Sequence, residues 1–234
     1  MDSTNAEAFR RAPHLAGPVW LLAAEQTAGR GRRARPWASP PGNFYATLVM
    51  PVTEPPQQVA LRSFVAALAL HDALANTTRS PEALALKWPN DVLLSGGKVA
   101  GILLECQTSA TAGQILAIGI GVNLIGHPPL TQLEPGATAP VSVLHESGKR
   151  LTPETLLSHL APAYAGWEAV FTTQGFAPIR AAWLARAARL GEPIHARTGT
   201  QDRHGIFDSI DAEGNLILRS ADSTLAIPAA EVFF

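Results

Sequence analysis

The sequence predicts an α+β domain, residues 1–190, followed by a small all-β unit, residues 191–234. Three observations predict it. Apolar runs with strand and helix periods alternate irregularly in the first part, and short alternating segments take over from Glu192. No internal repeat or low-complexity tract points to another architecture.

Thr4 with Glu7 three residues on fits a capping box, which predicts a short helix from Asn5 to about Ala12. Val19–Glu25 is an apolar run suited to a buried strand. The Gly-, Arg- and Pro-rich stretch from Thr27 to Asn43 sustains neither period and reads as a long loop. Phe44–Met50 resumes as a strand. Val59, Phe64, Leu68 and Leu74 recur at helical spacing, predicting a helix over Gln57–Ala75. Ala83–Trp88 and Val92–Leu94 are strand segments interrupted by Pro89. Ser95-Gly96-Gly97 is a turn from which Val99–Glu105 returns, and Ile115–Leu124 is a further strand. Gly126 to Pro140, with four prolines, reads as a surface loop. Pro153 opens a helix to about Thr172, and Pro178–Leu190 makes another. Beyond a hinge near Gly191, His195–Thr198, Gly205–Ile210, Leu216–Arg219 and Leu225–Ile227 suit a small β-barrel.

A formal net charge of −1 gives no general attraction to nucleic acid or to an anionic membrane, so anion binding must come from local clusters. No apolar run reaches the roughly 18–20 residues needed to span a bilayer, and no secretory signal is present, so the expected location is cytoplasmic. The single cysteine, Cys106, excludes an internal disulfide. Its place in the apolar run Ile102–Cys106 favours a small buried hydrophobe over a reactive thiol.

Five segments carry chemistry. Gly29-Arg30-Gly31-Arg32-Arg33-Ala34-Arg35-Pro36-Trp37 sets four arginines among two glycines, with an indole at the end. Guanidinium forks bind carboxylate or phosphate oxygens in pairs and the indole offers a face to a purine; the alternative is a solvated basic loop. Lys87-Trp88-Pro89-Asn90-Asp91 ends in groups that could hold Mg²⁺, and is also turn chemistry. Lys98 leads straight into a buried strand, as a site residue or a solvated hairpin lysine. Asn123, closing Gly119-Ile120-Gly121-Val122, either meets an adenine edge or caps the strand. The last segment, Asp2-Ser3-Thr4-Asn5, offers neutral hydrogen-bonding side chains at Ser3, Thr4 and Asn5.

In order and spacing, these segments together with Gln26-Thr27-Ala28 and Lys98-Val99-Ala100-Gly101-Ile102 resemble biotin protein ligases over nearly the whole chain. The resemblance implies a mixed-sheet biotin/lipoate ligase-type catalytic domain with a small C-terminal SH3-like β-barrel, of the monofunctional type without an N-terminal DNA-binding domain. It implies an ATP-dependent ligase that activates biotin as biotinyl-5′-AMP and transfers it to a lysine of a biotin carboxyl carrier domain, in a carboxylase such as acetyl-CoA carboxylase. A lipoate or octanoate ligase or transferase of the same fold is the alternative.

By the same resemblance, Ser3, Thr4, Asn5, Gln26, Arg30, Gly31, Arg32, Lys98 and Gly101 bind biotin, and Arg32, Arg35, Trp37, Asn90, Asp91, Lys98 and Asn123 bind ATP. Lys98, Arg30 and Asp91 are the catalytic candidates, with Asp91 also the candidate Mg²⁺ ligand. The expected small molecules are ATP, Mg²⁺ and biotin, with no tightly bound prosthetic group. No nucleic acid or membrane partner is expected, and the oligomeric expectation is a monomer or weak homodimer.

Two departures from the family carry expectations. Ala34 stands where the loop usually has glycine, which predicts slower closure if the backbone there is left-handed. Family members also have a strand before the Asp-Ser-Thr segment, and its absence here predicts fraying at Ser3–Asn5. The loop itself, residues 29–37, is expected to be disordered without ligand.

Overall fold

The structure is a computed structural model. It describes every residue except 110–112, 130, 132–135, 199, 200, 222, 229 and 234. Parts of the predicted Gly126–Pro140 loop and the closing residue of the small unit lie outside the described residues.

The chain opens with α1 (Thr4–Arg11), then β1 (Val19–Ala23) and β2 (Phe44–Val52). The short helix α2 (Pro56–Ala60) leads through Leu61 into α3 (Arg62–Thr78), so the single predicted helix is broken near its start and runs three residues longer. Next come β3 (Leu84–Lys87), β4 (Asp91–Leu94), β5 (Gly97–Ser109) and β6 (Gly113–Val122). The predicted hairpin turn at 95–97 is present, with Ser95 and Gly96 both at positive φ, as a two-residue turn that follows strand twist requires. After α4 (Val143–Ser147), which periodicity did not reveal, α5 (Pro153–Gln174) and α6 (Phe176–Leu184) complete the helices. Thr152 caps α5, accepting from the Thr155 amide at 3.2 Å, ahead of Pro153 in the first turn.

β1 to β6 form one sheet in the order β1-β2-β6-β5-β4-β3. The expected mixed sheet is antiparallel at every pairing of these strands; the parallel contacts are isolated bridges, Leu86 to Ala187 and Lys98 to Pro140. Alternation divides the sheet into two faces. Leu116, Ile118, Ile120 and Val122 of β6 point to the main core. There α3 is buried on nearly all sides, which explains why it is apolar all round. Pro56–Thr78 is, contrary to the sequence reading, long and apolar enough to cross a membrane, but it is mostly buried inside the protein. On the other face, Ala8 and Ala12 pack on Leu21, Val49, Ile115 and Ala117. Further along that face, β6 carries only Gly119 and Gly121.

Two local readings need correction. The helix cap is Ser3 rather than Thr4, and it makes no side-chain cap bond; Thr4 is buried and turned into the protein. Cys106 is exposed rather than buried. β4 pairs with β5 only as far as Gly101, so the rest of β5 is a sheet edge and the apolar run runs out from under its cover.

The C-terminal part has β7 (Pro193–Arg197), β8 (Asp202–Ile210), β9 (Leu216–Arg219), β10 (Thr224–Ile227) and β11 (Glu231–Phe233). They form an antiparallel sheet in the order β10-β9-β8-β7-β11. Among the described residues no ladder joins β10 to β11, so the small five-stranded unit expected from sequence is present without a closing strand pair. Its inner face shares the main core: Phe207 meets Trp183, and the Trp88 indole donates to the Gly214 carbonyl at 3.1 Å.

Candidate active site

A cavity of about 650 Å³ opens on the glycine-bearing face of the first sheet. Ser3, Thr4, Asn5, Gln26, Arg30, Gly31, Arg32, Arg35, Trp37, Asn90, Asp91, Lys98, Gly101 and Asn123 all line it. The structure thus brings every site residue expected from sequence to one place, from segments up to 120 positions apart.

The floor follows from strand register. Gly101 of β5, Gly121 of β6 and Tyr45 of β2 stand opposite one another, as do Leu103, Gly119 and Thr47 in the next row on that face. Glycines at three of these points leave room for whatever lies above. A methyl on Gly121 would come within 2.6 Å of the Trp37 indole nitrogen, and one on Gly119 within 2.4 Å of Asn5 Oδ1.

The neutral end of the cavity is a hydrogen-bonded set. Gln26 Oε1 accepts from the Thr4 amide at 2.8 Å and from Thr4 Oγ1 at 3.1 Å, while its Nε2 donates to Ser39 Oγ at 3.0 Å. Thr47 Oγ1 shares its single proton between Asn5 Oδ1 at 2.6 Å and Thr4 Oγ1 at 2.8 Å. Asn5 Nδ2 donates to Glu105 Oε2 at 2.7 Å. Ser3, Thr4 and Asn5 are all buried, so the expected fraying is absent. The Thr27 and Ala28 amides donate to the Met1 and Asp2 carbonyls, which stitches the first residues to the loop.

In the structure the arginine loop forms a hairpin. The Trp37 amide donates to the Gly29 carbonyl at 2.9 Å, the Gly31 amide to the Arg35 carbonyl at 2.8 Å, and Arg30 bridges Pro36. At its tip Arg33 and Ala34 have φ of 56° and 58°. Arg30 reaches Glu105, and Arg33 and Arg35 both reach Glu231 of β11. Arg35 beside it, with Arg33, holds the Glu231 carboxyl below the usual carboxylate range. Trp37 carries its indole across the glycine floor with Nε1 buried and without an acceptor, and the Lys98 ammonium stands 5.6 Å above the ring.

At the charged end, Lys98 Nζ is 2.7 Å from Asp91 Oδ1, an ion pair whose angle is not that of a hydrogen bond. Asn90 is fixed to β5 through its Nδ2 bond to the Ile102 carbonyl at 2.5 Å, and its Oδ1 faces Arg32 at 3.5 Å. Asn123 Nδ2 donates to the Val141 carbonyl at 3.0 Å, so its amide ties the strand end to the following loop. Burial pushes the Arg32 and Lys87 groups down from their usual ranges, and Lys87 donates to Thr138 Oγ1. Six cationic side chains line the cavity against the carboxylates Asp91 and Glu231 among the described residues. That imbalance, behind low-dielectric walls, draws in a polyanion.

Sequence reasoning missed Thr47, Glu105, Lys87 and Glu231. Lys87 lay inside a motif already singled out. Glu105 and Glu231 carried no local signal, because their partners are 75 and 198 positions away.

Comparison with known proteins agrees over both parts of the chain. Residues 1–123 match the biotin/lipoate A/B protein ligase family, and residues 190–234 match the biotin protein ligase C-terminal domain. A biotin--[acetyl-CoA-carboxylase] ligase of Paracoccus denitrificans is 60% identical, over 100% of this chain and 97% of that protein. The biotin protein ligase of Aquifex aeolicus in complex with biotin and ATP superposes with a TM-score of 0.82 at 24% identity, covering 99% of this chain and 94% of that one. That of Leishmania major in complex with biotinyl-5-AMP has a TM-score of 0.68 at 25% identity, covering 97% and 95%.

Proposed function

This chain belongs to the biotin/lipoate A/B protein ligase family, and we propose that it is an ATP-dependent biotin protein ligase acting in two half-reactions in the cavity. The observation that carries the reading is the convergence of all its motif residues on one pocket, neutral at one end and cationic at the other. Its volume is that of pockets that enclose a drug-sized ligand.

The neutral end suits an uncharged urea. Ser3, Thr4, Asn5 and Gln26 are assigned to the ureido ring, Gly101 and Gly31 to close backbone approach, and Arg30, Arg32 and Lys98 to the carboxylate and its adenylate. Arg35, Trp37, Asn90, Asp91 and Asn123 are assigned to the nucleotide. A carboxylate is a poor acylating agent, so its oxygen first attacks the α-phosphorus of ATP and pyrophosphate leaves. Two anions meet in that step. Lys98 and the arginines lower their repulsion and stabilise the charge that builds on phosphorus.

Mg²⁺ fits the donor set only in the way usual for that ion, through one or two carboxylates together with substrate phosphates. Asp91, whose buried Oδ1 faces the Lys98 ammonium at 2.7 Å, would hold it with Asn90 nearby. Bound there it would supply charge neutralisation to the phosphates.

In the second half-reaction the acceptor lysine must be neutral, yet a free lysine, with a pKa of about 10.4, is deprotonated in only about one molecule in a few thousand at pH 7. Asp91 is assigned as the group that accepts this proton. The acceptor is a biotin carboxyl carrier domain, a choice supported by the carboxylase in the name of the Paracoccus relative. The protein is assigned to the cytoplasm and to a monomeric or weakly dimeric state, with a catalytic part over 1–190 and a C-terminal part over 191–234.

Radiolabelled pyrophosphate exchange into ATP, run with biotin, with lipoate and with neither, tests the reading. Exchange that depends on biotin supports it; exchange with lipoate instead assigns the fold to the other branch. For the second step, Asp91→Asn is expected to slow transfer from preformed biotinyl-adenylate at least tenfold. Undiminished transfer removes Asp91 as the base.

A further inference from the structure

The Asn5 side chain lies flat on Gly119 and is buried. A buried amide can sit in either of two orientations, related by a half-turn that exchanges acceptor for donor. Three neighbours meet it; one, the Leu103 carbonyl, lies 3.5 Å from Nδ2, at the limit of a hydrogen bond. The Thr47 hydroxyl serves either orientation, because it can donate or accept. The Glu105 carboxylate only accepts, so it obliges Nδ2 to face it at 2.7 Å and leaves Oδ1 toward Thr47.

The same carboxylate also takes the arginine loop. Arg30 Nη2 donates to Glu105 Oε1 at 3.1 Å and Oε2 at 3.3 Å. The strand explains how one side chain reaches both. Gly101, Leu103 and Glu105 succeed one another on the cavity face of β5, and β4 stops at Gly101, leaving Glu105 on an open edge that the loop can approach.

We propose that Glu105 is a positioning residue that couples recognition of the ligand head group to the arginine loop, fixing the Asn5 amide on one side and docking Arg30 on the other. The proposal rests on the biotin ligase reading above. Glu105, by the shorter of the two contacts to Asn5 Nδ2, holds the edge that Asn5 presents to a urea, and the same carboxylate also draws the loop over the site. The Arg30 and Glu105 side chains are 41% and 29% exposed, so their pair is of the weak, surface kind. A weak pair suits a latch that must open in every turnover.

Two substitutions separate the contacts. Glu105→Gln keeps an acceptor oxygen for Asn5 Nδ2 but loses the charge that attracts Arg30, whereas Glu105→Ala loses both. Biotin-dependent pyrophosphate release gives KM and kcat, and a second assay follows escape of biotinyl-adenylate to solvent when acceptor is withheld. Glu105→Gln is expected to raise adenylate escape about fivefold, the size of one exposed ion pair, with biotin KM moved by no more than about twofold. Glu105→Ala should raise escape as much and biotin KM by about tenfold, the cost of a misoriented buried amide. Should Glu105→Ala fail to fold, Arg30→Gln and the double variant Arg30→Gln/Glu105→Gln carry the test. Arg30→Gln should raise escape further than Glu105→Gln, because Arg30 is also assigned to the adenylate, and the double variant should raise it no further than Arg30→Gln alone, because the contact is already broken. The idea is overturned by additive effects in that pair, by Glu105→Gln and Glu105→Ala altering KM alike, or by wild-type escape in Glu105→Gln. A wild-type protein without biotin-dependent pyrophosphate release would instead overturn the biotin ligase reading, so the two failures are distinct.

Discussion

Ala34 has a φ of 58°, a left-handed angle at which a β-carbon costs roughly 1–2 kcal/mol. The substitution was legible in the sequence, but the angle was not, because nothing local forces a turn to pass through that region. Ala34→Gly is expected to favour the hairpin over its open forms by about 1 kcal/mol, about fivefold in population. Protease nicking between residues 29 and 37 should slow accordingly; equal or faster nicking would count against it. The Glu231 tie is pH-dependent with a definite sign. Its carboxyl lies below its unfolded range in the folded chain, chiefly through Arg35. The tie is therefore full above pH of about 4.3 and is lost as pH falls through the lower, folded value. Acid should quicken nicking of the loop in wild type, and Glu231→Gln should nick quickly at neutral pH with a flatter acid response. Thr4 shows the opposite limit: its spacing from Glu7 favoured a cap, but burial beside Gln26 and Thr47 claimed its hydroxyl.

At the scale of elements, β1 to β10 were read from their patterning and the short β11 was not, and the floor that the first sheet builds was invisible. Gly119-Ile120-Gly121 announces a strand; that its glycines line up with Gly101 is a matter of register between β5 and β6. Cys106 was misjudged for the same reason, since cover depends on where β4 ends. Gly121→Ala is expected to push the Trp37 indole off the floor and raise the KM for ATP about tenfold or more, because the added carbon would sit 2.6 Å from Nε1. Gly126→Ala, which meets nothing within 4 Å, is the control. A KM for Gly121→Ala equal to that of the control would mean that the indole does not rest there in solution.

Across the whole molecule, the change of pattern near residue 190 marked the second sheet, but not how closely it joins the first. The turn before β9 brings Gly214 against Phe64 and Leu61 of the α3 region, and Trp183 stands between Phe64 and Phe207. A core shared in this way couples the unfolding of the two parts. Calorimetry is expected to give one transition with equal calorimetric and van't Hoff enthalpies, and two resolved transitions would contradict it. The loop over the cavity draws on the same wholeness. Its base is stitched to residues 1 and 2, and its tip is tied to residue 231. Grips from both parts of the fold thus hold one loop, so its order reports whether both parts are folded.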